Sequence, residues 1–221
     1  MTDSAEEHEL DATQRRERPD GDADLAPARP SGAAPTDVQL QDALDRARTG
    51  DEHGFALLWR TLHPPLLRYL TVRSPDARED VASETWVQVV RDLPGFGGDV
   101  DEFRGWLFTI ARNRAIDHGR TRVRRSTVPV AAPSEHVADP LTASAEDDAV
   151  ARSSTEEAVR LVASLPVEQA EMVMLRVVAG LDVAVVARLV GKKPGTVRVA
   201  VHRALKELAR DPRARALGKV V

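Results

Sequence analysis

Across residues 38–47 the apolar side chains fall at Val38, Leu40, Ala43, Leu44 and Ala47, the spacing of one face of a helix. That period recurs along most of the chain. It limits the fold, because amphipathic helices must bury their stripes on one another. Large rings are scarce: three Trp, four Phe and one Tyr among 221 residues. The core must therefore be filled mainly by Leu, Val and Ala, which suits helices packed on helices. The expected fold is all-α.

Local signals divide the chain. Residues 1–37 are rich in Asp, Glu, Ala and Pro, with hardly any large apolar residues, and read as a disordered acidic tail. Residues 38–125 read as a compact segment of four helices. The first has Thr36 or Asp37 as N-cap and Gly50 as stop. The second starts near Asp51 and is expected to be disturbed at Pro64-Pro65. The third has Ser74 as N-cap and Pro75 at its first position. The fourth runs from Phe103 and is apolar at Trp106, Leu107 and Ile110.

Residues 126–153 carry three prolines and many small residues and read as a flexible linker whose end can turn helical. Residues 154–213 form a second helical segment. It opens on Ser154 with Glu157 three residues later, the pattern of a capping box. Pro166, Gly180 and Gly191 punctuate it. Residues 214–221 read as a tail.

Charge follows the same division. The formal net charge is -4. Residues 1–37 hold ten acids against four arginines, and residues 126–157 hold seven acids against one arginine. Residues 103–125 hold seven arginines and one acid, and residues 176–215 hold ten Lys/Arg and three acids. Two acidic blocks thus alternate with two basic ones, which points to a polyanionic partner more than the total does.

The second basic block contains a short apolar helix, a turn at Gly191 and an amphipathic helix, "GKKPGTVRVAVHRALKELAR". This is a helix-turn-helix pattern. Val197, Val201, Leu205 and Leu208 are the expected buried stripe. Thr196, Arg198, Val199, His202, Arg203 and Lys206 then face outward, where such a helix meets the major groove. Lys192 and Lys193 in the turn suit phosphate, and arginine can pair bidentately with guanine. The first basic block sets Phe103, Trp106 and Phe108 beside Arg120, Arg122, Arg124 and Arg125. Rings beside arginines suit single-stranded DNA. Trp106 by itself also suits a core.

Other functions find little support. The chain has no cysteine, which excludes disulfides, thiolate metal sites and a cysteine nucleophile. Its six histidines are scattered, and no HExxH, phosphate-binding GxxxxGK[ST] or Gly-x-Ser-x-Gly pattern occurs. Neither catalysis, a cofactor nor a metal is expected. The start, MTDSAEEHEL, has neither a basic nor an apolar leader region, and no apolar run approaches the ~20 residues of a membrane span. The expected location is cytoplasmic.

Three stretches, in order, resemble one family. "WLFTIARNRAIDHGRTRVRR" resembles the conserved region-two core of extracytoplasmic-function sigma factors of bacterial RNA polymerase. "DAREDVASETWVQVVRDL" resembles the helix preceding it, which in that family docks on the polymerase clamp. "LVASLPVEQAEMVMLRVVAGLDVAVVARLVGKKPGTVRVAVHRALKEL" resembles region four.

The resemblance implies a factor that directs core polymerase to promoters. Region four would read the −35 element as duplex. Region two would capture a flipped base of the −10 element with the loop from Pro94 to Glu102, including Phe96, Gly97 and Gly98. The non-template strand would lie along Trp106, Arg112, Asn113, Asp117, Arg120 and Arg124. Asp80, Glu84 and Trp86 match the clamp-docking helix. An anti-sigma factor is the further partner that such a family implies. Ser83, Val199-Ala200 and "DVAVV" at Asp182 to Val186 depart from the family pattern. The alternative is a stand-alone helix-turn-helix regulator, which leaves the arginine-rich upstream helix unexplained.

Overall fold

The computed structural model describes residues 34–126 and 147–217, with side chains over 34–122 and 154–215. The tail reading for residues 1–37 and the linker reading for 126–153 fall mostly outside the described residues. Among the described residues every regular element is helical.

Helix α1 (Asp37–Arg48) starts on a capping box: the Gln39 amide N donates to Thr36 Oγ1, and the Thr36 amide N donates to Gln39 Oε1. Helix α2 (Glu52–Arg73) is capped by Asp51, whose Oδ1 accepts from the His53 and Gly54 amides. The expected disturbance at Pro64-Pro65 does not break α2, which is continuous through both prolines. Two ladder bonds are lost there, but Leu58, Leu62, Leu66, Tyr69 and Leu70 lie on one buried face and hold the helix straight through by packing.

Helix α3 (Arg78–Asp92) follows a short 3-10 turn over Pro75–Ala77. Ser74 precedes that turn as expected, but its side chain makes no capping bond. Helix α4 (Val100–Ser126) follows a second 3-10 turn over Leu93–Gly95.

Helix α5 (Asp147–Ala163) begins inside the segment read as linker. Ser154 is therefore an interior residue of α5 and not the cap of a helix start. Pro166 then precedes α6 (Val167–Val173), which runs on as a π-helical turn over Met174–Val178. Helices α7 (Val183–Val190) and α8 (Pro194–Leu208) form the helix-turn-helix, and α9 (Pro212–Leu217) occupies part of the expected tail.

The α1–α4 bundle closes around Leu40, Leu44, Leu58, Val81, Phe103 and Leu107, all essentially without solvent contact. The Tyr69 and Phe108 rings meet edge to face at 5.5 Å. The same apolar cluster continues without a gap into Met174, Leu175, Val186 and Val197 of the second helical segment.

Trp86 joins α3 to α2. Its indole Nε1 donates to His63 Nδ1 at 3.1 Å, and the His63 ring stacks on Trp59 with centroids 4.5 Å apart. Burial holds the His63 imidazole below its usual pKa, with Glu79 opposing weakly. Protonation at Nδ1 would also remove the acceptor for Trp86. A histidine whose folded pKa is depressed contributes stability above its unfolded pKa of about 6.5 and loses it as pH falls through the folded value. The urea midpoint should therefore fall between about pH 7.5 and about pH 5.5, and His63→Gln should flatten that fall.

Candidate promoter-DNA and polymerase interface

The turn between α7 and α8 has a specific closure. Gly191 sits in the left-handed region at φ 67°, and the Lys192 amide donates back to the Ala187 carbonyl at 2.9 Å. A Cβ at Gly191 would meet nothing within 4 Å, so the requirement is the backbone conformation and not space. Pro194 then starts α8 at a position that needs no donor.

The buried face of α8 is Val197, Val201 and Ala204, with Leu208 half-buried. Leu205, expected in that stripe, is 44% exposed; the stripe turns instead through Ala204, three residues after Val201. Thr196, Arg198, Val199, His202, Arg203 and Lys206 are all exposed, as are Lys192 and Lys193 in the turn. Lys192 reaches Glu168 at the start of α6, 3.1 Å away.

The loop before α4 has a different construction. Asp99 and Glu102 cap α4 reciprocally: the Glu102 amide donates to Asp99 Oδ1 at 2.8 Å, and the Asp99 amide donates to Glu102 Oε2 at 3.0 Å. Phe96 stacks on Trp106 at 4.9 Å and meets Phe103 edge-on at 5.7 Å. A Cβ at Gly98 would lie 2.6 Å from Glu102 Oε2 and 2.7 Å from Phe96 Cζ, so any side chain there would make Glu102 and Phe96 shift. Gly97 is open and exposed.

Trp106 is half-buried, which serves both readings of it: one side packs on the core, the other borders a cleft of about 780 Å³ lined also by Arg104, Arg112, Asn113 and Arg188. Asn113, Asp117 and Arg120 are exposed, and Arg120 pairs with Asp117 at 3.6 Å. The backbone at Arg124 belongs to α4, but its side chain lies outside the described residues.

Asp80 and Glu84 are exposed one turn apart on α3. Glu84 lies 3.8 Å from Arg114, which hydrogen-bonds Gln88 at 2.9 Å and so joins α3 to α4. Trp86, matched to the docking helix by the sequence, is instead a core residue at 6% exposure, turned inward toward Phe55 and His63, and presents no surface for docking.

Arg112 has a partner that the sequence reading missed. Glu171 on α6 is 5% exposed, and its Oε1 accepts from Arg112 Nε at 3.0 Å and from the Tyr69 hydroxyl at 3.0 Å. Arg73 Nε lies 3.2 Å from the same oxygen as an ion pair, without hydrogen-bond alignment. Burial, reinforced by the Glu171 carboxylate, raises the Tyr69 pKa well above its usual value, so the phenol remains a donor. A signal for Glu171 existed: Met174 and Leu175, three and four residues on, place it on the apolar face of its helix.

The Sigma-70 region 2 model matches residues 58–125, and the Sigma-70 region 4 model matches residues 155–208. The ECF RNA polymerase sigma factor ShbA of Streptomyces griseus is 35% identical over 173 residues, covering 74% of this chain and 90% of that protein. The sigma factor BldN of Streptomyces coelicolor is 30% identical over 175 residues, covering 78% of this chain and 66% of its relative. SigF of Caulobacter vibrioides is 33% identical over 178 residues, covering 79% and 94%. The solved structure of CnrH in complex with the cytosolic domain of CnrY shares the fold, with a TM-score of 0.51 at 19% identity over 77% of this chain and 95% of that one.

The chain belongs to the ECF RNA polymerase sigma factor family. It is a non-enzymatic, promoter-directing transcription initiation factor whose partners are core RNA polymerase and promoter DNA. The family sets aside the stand-alone regulator. Among the described residues no helix is long and apolar enough to cross a membrane.

Glu171→Gln should destabilise the chain by about 2–4 kcal/mol. It removes the charge that two arginines face, while a fifth to a quarter of each arginine side chain stays open to water and softens the loss. Urea unfolding measures this, with Glu207→Gln, an exposed carboxylate on α8, as the neutral comparison.

Proposed function

We propose that the two basic surfaces divide the promoter between them. Helix α8 reads the −35 element as duplex. Arg198, Val199, His202 and Arg203 approach base edges, and Lys192, Lys193, Thr196 and Lys206 neutralise or hydrogen-bond phosphates. The observation that carries this reading is the two-sided character of α8, with Val197, Val201 and Ala204 buried and the polar set exposed on the opposite face. Val199 is 50% exposed, so this face offers an apolar contact where a polar tip would specify a base. Phosphate contacts then carry more of the affinity than base contacts do.

The loop from Pro94 to Glu102 takes a flipped base of the −10 element. Phe96, Gly97 and Gly98 shape the pocket, and Trp106, Arg112, Asn113, Asp117, Arg120 and Arg124 hold the non-template strand. Extruding a base costs a few kcal/mol of stacking, which ring contacts and a basic groove offset. Arg112 takes part once its bond to Glu171 opens, because one guanidinium edge cannot serve both. Asp80 and Glu84 dock on the polymerase clamp, with Trp86 supporting their helix from within. The site of action is the cytoplasm, and a protein inhibitor covering both basic surfaces, an anti-sigma factor, is a proposed partner.

Run-off transcription with core polymerase on a promoter library tests the whole reading. Initiation should select a fixed −10 and −35 pair, and no selection would contradict it. Arg203→Ala should weaken binding to a selected −35 duplex by about 1–3 kcal/mol if it reads a base. Lys193→Ala should weaken binding to all sequences alike and lower the slope of log affinity against log salt by about 1.

A further inference from the structure

The loop between α3 and α4 does not hold its shape alone. Helix α1 reaches it at three points. The Arg48 guanidinium Nη2 donates to the Gly98 carbonyl, and its Cζ lies 5.4 Å from the Phe96 ring centroid. Arg48 Nη1 is fixed from behind by Asp45 Oδ1 at 2.7 Å, one turn earlier on the same helix. Gln41 Oε1 accepts from the Val100 amide at 2.8 Å, at the first position of α4. Farther along, Arg104 Nη2 donates to Asp37 Oδ1 at 2.6 Å.

Arg48 is unusual among these side chains. It is only 20% exposed, and its Nε is buried without a hydrogen-bond partner. Leaving such an N–H orphaned is costly, because its bond to water is lost and none replaces it. The guanidinium therefore lies where Gly98, Phe96 and Asp45 together require it, not where its own donors are best served. Lysine could not replace it, because one compact ammonium lacks a planar fork for a carboxylate, a carbonyl and a ring at once.

We infer that Arg48, helped by Gln41, is a positioning residue for selection of the −10 element: it sets the conformation of the 94–102 loop from behind, without itself touching DNA. The inference rests on the proposed role of that loop. Phe96 lies between two fixed partners, Arg48 and Trp106, so the ring has little freedom to adapt to a different base. Gly98 is pinned by its carbonyl, and a side chain there would displace Glu102 and Phe96. The region-two family match begins at residue 58, whereas Arg48 and Gln41 lie on α1, upstream of it. Specificity of the loop thus depends on a helix outside the matched segment.

The test is promoter selection by the full chain with core polymerase, on templates carrying each single-base change across the −10 element beside a constant −35. Arg48→Met should reduce discrimination between the preferred −10 sequence and its variants by about tenfold. Affinity for core polymerase and for the isolated −35 duplex should stay at the wild-type value, which a general loss of structure would not allow. Circular dichroism melting reports whether the variant folds. If Arg48→Met does not fold, Gln41→Leu takes its place, with the same loss of discrimination expected to a smaller degree. A folded variant that keeps the wild-type −10 profile overturns the inference. A wild-type chain that shows no −10 selection overturns the underlying role of the loop instead.

Discussion

One buried carboxylate determines how the two halves of this chain meet. Glu171 leaves water on α6 and gives a single oxygen to Arg112, Tyr69 and Arg73. A lone buried charge would be costly, and a charge met by two cations and a phenol is tolerated. All three partners belong to α2 and α4, so the contact fixes the second helical segment against the first. Apolar contacts surround it, and Met174 and Leu175 sit in the same cluster as Leu66 and Phe108. The apolar surface supplies most of the attraction, and the ionic centre supplies the register, because a shifted interface would strand the carboxylate.

The same contact ties structure to function. Arg112 lies on the face of α4 that borders Trp106 and Asn113, and its guanidinium is committed to Glu171 in this arrangement. The proposed −10 surface and the interface between the halves therefore share a residue. By contrast the outward residues of α8 are exposed, and among the described residues Lys192 in the turn is engaged by the exposed Glu168. The outward face of α8 is open as it stands, while the guanidinium of Arg112 on α4 is engaged by Glu171.

Much of this was legible in the sequence where the signal is local. The start of α1, capped by Thr36 of the two candidates Thr36 and Asp37, and the stop of α7 at Gly191 each depend on a few neighbouring residues, and each stands where the pattern placed it. Errors arose where tertiary packing outweighs local preference. Pro64-Pro65 reads as a disturbance within one helix, yet the buried face of α2 carries the helix through it without interruption. Ser154 reads as a cap, yet α5 starts seven residues earlier, at Asp147. Trp86 reads as a docking residue beside Glu84, yet the turn of α3 points its ring inward to His63. The long-range polar contacts were beyond a local reading. Nothing near Arg48 in the chain announces Gly98, fifty residues on, and nothing near Glu171 announces Tyr69, 102 residues back.

The central claim is that this chain, with core polymerase, opens promoter DNA at the −10 element through the α4 surface and its loop. Permanganate reactivity of unpaired thymines measures that opening directly. The account predicts reactive thymines confined to the −10 region, present only when this chain and core polymerase are both added. It predicts their loss when Arg112 and Arg120 are both replaced by alanine, with −35 duplex binding retained. Thymines that open equally with the doubly substituted chain, or that never open with the wild type, would contradict it.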